Sequence, residues 1–115
     1  MAKKTTVKSF NDPVFGFNYF VAFGNVGYDD MIKLQRSLDL HEECDFDNEN
    51  SYGLCFTRGD TIFIWVDKKS NIPTLSHECF HALRYVTEAK GIEMSSYNDE
   101  APAYYMGFLM RECLK

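Results

Sequence analysis

Hydrophobic and polar positions alternate in character along the chain and mark out its elements. Residues 14–23 are dense in Phe, Val and Tyr and predict a strand, closed by the turn chemistry of Gly24-Asn25-Val26-Gly27. Residues 28–41 place Met31, Leu34 and Leu38 at helical spacing behind Asp29 and Asp30, predicting an amphipathic helix. Residues 42–50 are acidic and have no period, so they read as a loop. Residues 51–57 and 61–66 are rich in β-formers and flank Arg58-Gly59-Asp60, the pattern of a hairpin. The second arm, Ile62-Phe63-Ile64-Trp65-Val66, is apolar at every position and is expected to be covered on both faces.

Two helices should complete the chain. The first runs over residues 73–90, with Pro73 in its opening turn and Gly91 at its end. At 100° per residue, Leu75, Cys79, Ala82, Leu83, Val86 and Ala89 share a stripe, opposite His77, His81, Arg84 and Glu88. The second begins near Asn98 or Asp99 and runs to residue 114, with Pro102 tolerable because it falls in the first turn. Residues 1–12 predict a loosely structured arm ending at Asn11-Asp12-Pro13. The expected class is α+β: a small, mostly antiparallel sheet packed on two helices, all in one domain over residues 1–115.

Composition narrows the function classes. A net charge of −5 argues against nucleic acid as partner. Lys3, Lys4 and Lys8 are not followed by the apolar segment of a secretory signal, and no run reaches membrane-spanning length. A cytoplasmic protein with no membrane partner is expected. Cys44, Cys55, Cys79 and Cys113 are widely spaced without a C-x-x-C pair, which favours free thiols, with Cys79 as a core residue.

The first of the two helices carries the chemistry. His77-Glu78-Cys79-Phe80-His81 spells H-E-x-x-H, with two imidazoles one turn apart on the face opposite the apolar stripe. Side chains so placed can point at one zinc ion, while Glu78 stands beside it as a base for a metal-activated water. Two of the three histidines in the chain fall in this motif.

A catalytic zinc usually takes three protein ligands and leaves one position open. A third histidine in the H-E-x-x-H-x-x-G-x-x-H pattern is missing, because Arg84 and Thr87 stand at the Gly and His positions. Glu100, at the start of the last helix, is the leading candidate for the third ligand; Asp99, Glu93, Glu88 and the remote His41 are its rivals. Tyr97, Tyr104 and Tyr105 are candidate donors to a developing oxyanion. Asp45, Asp47 and Glu49 alternate like the opening of a calcium loop, but Asn50 and Phe56 stand where Gly and Glu are required.

His77 to His81, followed by Glu100-x-x-Ala103-Tyr104, resembles the gluzincin branch of the zincin metallopeptidases, whose compact members include ImmA/IrrE-like, SprT-like and small phage-encoded proteins. The resemblance spans roughly residues 50–114. It implies a minimal zincin-like domain in which His77, His81 and Glu100 bind Zn2+ and Glu78 is general base, then proton donor. It also implies a protein or peptide substrate, aligned by residues 61–66, in the cytoplasm of the cell or of a phage's host. Tyr104 stands where some members carry an Asp. So short a scaffold would be completed by a partner chain or a homodimer. The competing expectation is a non-catalytic binding protein on the same scaffold, with residues 42–49 contributing to its surface.

Overall fold

Strand pairing sets the frame. In the computed structural model, which describes residues 6–24 and 52–115, four strands form one sheet. They are β1 (Thr6–Asn11), β2 (Asn18–Phe23), β3 (Gly53–Arg58) and β4 (Thr61–Val66), in the order β1-β2-β4-β3. β1 runs antiparallel to β2 and β3 antiparallel to β4, whereas β2 and β4 are parallel. Helices α1 (Ile72–Ala89) and α2 (Glu100–Leu114) complete an α+β architecture with a mostly antiparallel sheet, as the residue pattern predicts. No described helix is long and apolar enough to cross a membrane. The helix expected over residues 28–41, the loop over 42–50, His41 and Cys44 lie outside the described residues.

The first strand corrects an expectation. Residues 6–11 are not a loose arm but an edge strand whose register pairs Lys8 with Val21 and Phe10 with Tyr19. Sequence concealed it because Val7 and Phe10 have opposite parity, so no two-residue period forms. Its stability comes from tertiary partners. Phe10 stacks on Tyr19 at 4.8 Å between ring centroids and meets the edge of Phe108. Lys8 donates to the carbonyls of Glu112 and Lys115, each at 2.7 Å, so a cation closes the electronegative end of α2.

β2 likewise starts at Asn18 rather than at residue 14, because Asp12 captures the intervening backbone. Asp12 Oδ1 accepts from the amides of Val14 (2.6 Å) and Phe15 (3.0 Å), and Gly16 completes the turn at φ 81°.

The core lies between one sheet face and the two helices. Tyr19, Val21 and Phe23 of β2 and Ile62, Ile64 and Val66 of β4 pack against Leu75, Cys79, Ala82, Leu83 and Val86 of α1. Leu109 and Cys113 of α2 join them. The alternate positions of β4, Phe63 and Trp65, are buried as well, as its unbroken apolar run requires. Of the predicted α1 stripe only Ala89, in the last turn, is exposed.

Both ends of α1 are defined by local chemistry. Asn71 Oδ1 accepts from the Thr74 amide, and Pro73 sits in the first turn. At the other end Gly91 adopts φ 67° while the amides of Ile92 and Gly91 return to the carbonyls of Thr87 and Glu88. This is the left-handed glycine cap that stops a helix.

α2 lies antiparallel to α1. Cys79 near the middle of α1 meets Cys113 near the end of α2, with sulfurs 3.9 Å apart. Val86 and Thr87 share a small apolar cavity with Ala101, Pro102 and Tyr105.

A buried polar group ties the β1–β2 turn to α2. Tyr105 donates to Asp12 Oδ2 at 2.8 Å and shares a hydrogen bond with the Tyr19 hydroxyl. Asp12 is 1% exposed, so loss of that donor exposes no new water to it. Tyr105→Phe is expected to cost about 1–3 kcal/mol in urea denaturation at neutral pH. Burial pushes the Tyr19 and Tyr105 hydroxyls above the ordinary tyrosine range. The neutral forms are therefore favoured in the fold, and stability present below about pH 10 falls as the pH rises further. A urea midpoint that stays flat from pH 8 to 11 would contradict this.

Candidate metal centre

α1 is held to the sheet by its buried stripe, and that fixes the direction of its outer face. His77 and His81, four residues apart, both project there and are exposed. Their Nε2 atoms lie 3.1 Å apart, with ring planes crossed at 80°. Nitrogens at that separation, each about 2.0–2.1 Å from a shared zinc, would subtend about 95–100°, near the tetrahedral value. As a plain hydrogen bond the contact engages one lone pair; a cation between the rings engages both.

Glu78 turns the other way, to the sheet side of the helix, and is 7% exposed. One oxygen of its carboxylate still lies within a group whose atoms, with those of His77 and His81, are all within 4.8 Å of one another. Burial pushes its carboxyl pKa up, and the adjacent His77 draws it part of the way back. A carboxylate so placed is a better proton acceptor than one in water.

The space for Glu78 is made by a glycine. A Cβ on Gly53, the first residue of β3, would collide with Thr74 Cγ2 and lie 3.0 Å from Glu78 Oε2. β3 can press its backbone against α1 beside the acid only because that atom is missing.

The strand expected to align a substrate has no free edge. Residues 61–66 form β4, which is paired on both edges, by β2 and by β3. No hydrogen-bonding edge is left on it. β3 is the terminal strand of the sheet, and among the described residues its outer edge is unpaired. A hairpin pattern shows that two arms pair but not which one ends outermost, because that depends on β2, far away in sequence.

Glu100 is not brought to the histidine pair. It is exposed at the first position of α2 and absent from the cluster, as are Asp99, Glu93 and Glu88 among the described residues. Glu88 instead pairs with Arg84 at 3.1 Å. The reason is helix length. α1 continues eight residues past His81 to Ala89, so an antiparallel partner must run back a similar distance before it is level with His81. The α2 residue that lines the open cleft with Pro73, Ser76, His77, Phe80 and His81 is Met106. Glu100 lies six positions earlier, about 9 Å back along the axis.

The three tyrosines divide. Tyr105 is buried with its hydroxyl committed to Asp12, whereas Tyr97 and Tyr104 are largely exposed. None lines the histidine cleft. Gly53, Phe80 and Met106 are the site residues that sequence reading missed. Phe80, inside the motif at an outward position of the helix, is 46% exposed and could have been found from the helical wheel.

No protein-family model, curated protein or solved structure matches this chain. The centre therefore rests on its own geometry.

Gly53→Ala is expected to destabilise the fold by about 1–3 kcal/mol through overpacking. Adding Thr74→Ser, which removes the nearest methyl, should recover most of that loss in thermal or urea unfolding. Full stability of the Gly53→Ala protein would show that β3 and α1 are not so close.

Proposed function

We propose that this chain is a zinc-dependent hydrolase of peptide bonds, with His77 and His81 as metal ligands and Glu78 as the proton-transfer residue. The observation that supports it is the convergence of both Nε2 atoms, 3.1 Å apart, beside a carboxylate shielded from water. Zinc, when bound, supplies Lewis acidity, polarising a carbonyl and bringing a water's pKa from about 15.7 toward 7. Glu78 accepts the proton from the attacking water and passes it to the leaving amine. Its burial serves both steps, since a carboxyl with a raised pKa takes up a proton readily and holds it until the amine departs.

The outer edge of β3, unpaired among the described residues, is the natural rail for an extended substrate, because strand addition uses backbone amides and carbonyls of that kind. Gly53 brings this rail against Glu78. Glu100 would complete the ligand set only after a rearrangement that carries it along the axis of α2 to the histidine pair. Glu100 itself is exposed and its cap residue Asp99 makes no side-chain capping bond, whereas Pro102 in the same turn is buried against α1.

Metal analysis and peptide-cleavage assays on four proteins test the reading. Wild type is expected to carry one zinc and to turn over. Glu78→Gln should keep zinc and lose activity by at least about a hundredfold, the scale of a general base. His81→Ala should lose both, and zinc retained by that variant would remove the site. Glu100→Gln should weaken zinc binding about tenfold or more if α2 shifts; unchanged affinity would remove Glu100 while leaving the histidine pair intact.

A further inference from the structure

One α2 side chain lines the cleft of the two imidazoles, and it is a methionine rather than a carboxylate. Met106 is half-buried on α2 and lines the same open cleft as His77 and His81. Inside a helix seam a methionine usually serves as filler. This one shares its space with two exposed, convergent nitrogens.

We propose that the cleft also takes Cu(I), held by His77 Nε2, His81 Nε2 and the Met106 sulfur. The inference rests on the reading of the histidine pair as a metal site, and it adds a second occupant. Thioether sulfur is a soft donor that favours Cu(I), whereas zinc draws little from it beside nitrogen and oxygen ligands. All three donors are neutral, which suits a monovalent cation. The buried Glu78 carboxylate lies within reach to offset its charge. Pro73 and Phe80, both exposed, add apolar surface to the open cleft. Zinc and Cu(I) would use the same two imidazoles, so their occupancy is mutually exclusive. Cu(I) bound in this way would block the hydrolytic centre.

The test is an anaerobic titration of Cu(I) against a colorimetric Cu(I) chelator, with zinc titrated in parallel. Wild type, Met106→Leu and His81→Ala are compared. Leucine conserves volume, and circular dichroism checks that each variant is folded. Met106→Leu is expected to weaken Cu(I) about tenfold or more while zinc affinity stays within about threefold. His81→Ala should lose both ions. Equal Cu(I) affinity in wild type and Met106→Leu would overturn the proposal. So would a wild-type protein that binds zinc but takes no Cu(I) from the chelator, a result that leaves the hydrolase reading standing. Binding of Cu(I) without zinc would support this site and remove the hydrolase reading instead.

Discussion

The rotation of α1 about its own axis is the constraint on which the rest depends. Leu75, Cys79, Ala82, Leu83 and Val86 are almost completely buried against the sheet, and helix geometry then dictates where every other residue of α1 must point. His77 and His81 face outward together, and Glu78 faces inward at the boundary of the sheet. A turn of the helix by one residue, about 100°, would bury an imidazole and expose part of the stripe. Burial of each large apolar side chain is worth about 1.5–3 kcal/mol, so the core holds that orientation firmly.

The sheet contributes a second constraint. β3 reaches α1 because Gly53 has no side chain, and this contact places a strand edge that is unpaired among the described residues next to an acid with little access to water. A hydrolytic site needs these three parts side by side: a place for a cation, a proton acceptor and a surface that orients the substrate. Under the proposal, one helix would supply the first two and its neighbouring strand the third.

Much of this was legible in the chain. The period of the α1 stripe gave both the helix and its outward histidines, and Pro73 and Gly91 marked its ends within a residue or so. The hairpin over β3 and β4 followed from Gly59 and the β-rich arms. What failed was long-range. β1 is a strand because of Tyr19, Phe108 and the end of α2, none of them local to it. The outermost position of β3 depends on β2 pairing with β4 across a long connection. The place of Glu100 depended on how far α1 continues past His81, and with eight further helical residues it is Met106 rather than Glu100 that lines the cleft of the pair. Motif spacing along the chain does not register that distance.

Anomalous diffraction at the zinc edge, from crystals grown with equimolar zinc, tests the central claim most directly. A single peak about 2.0–2.1 Å from both His77 Nε2 and His81 Nε2 is the expected result. A peak on any other group of side chains, or imidazoles that remain bonded only to each other with zinc in the crystal, would contradict it.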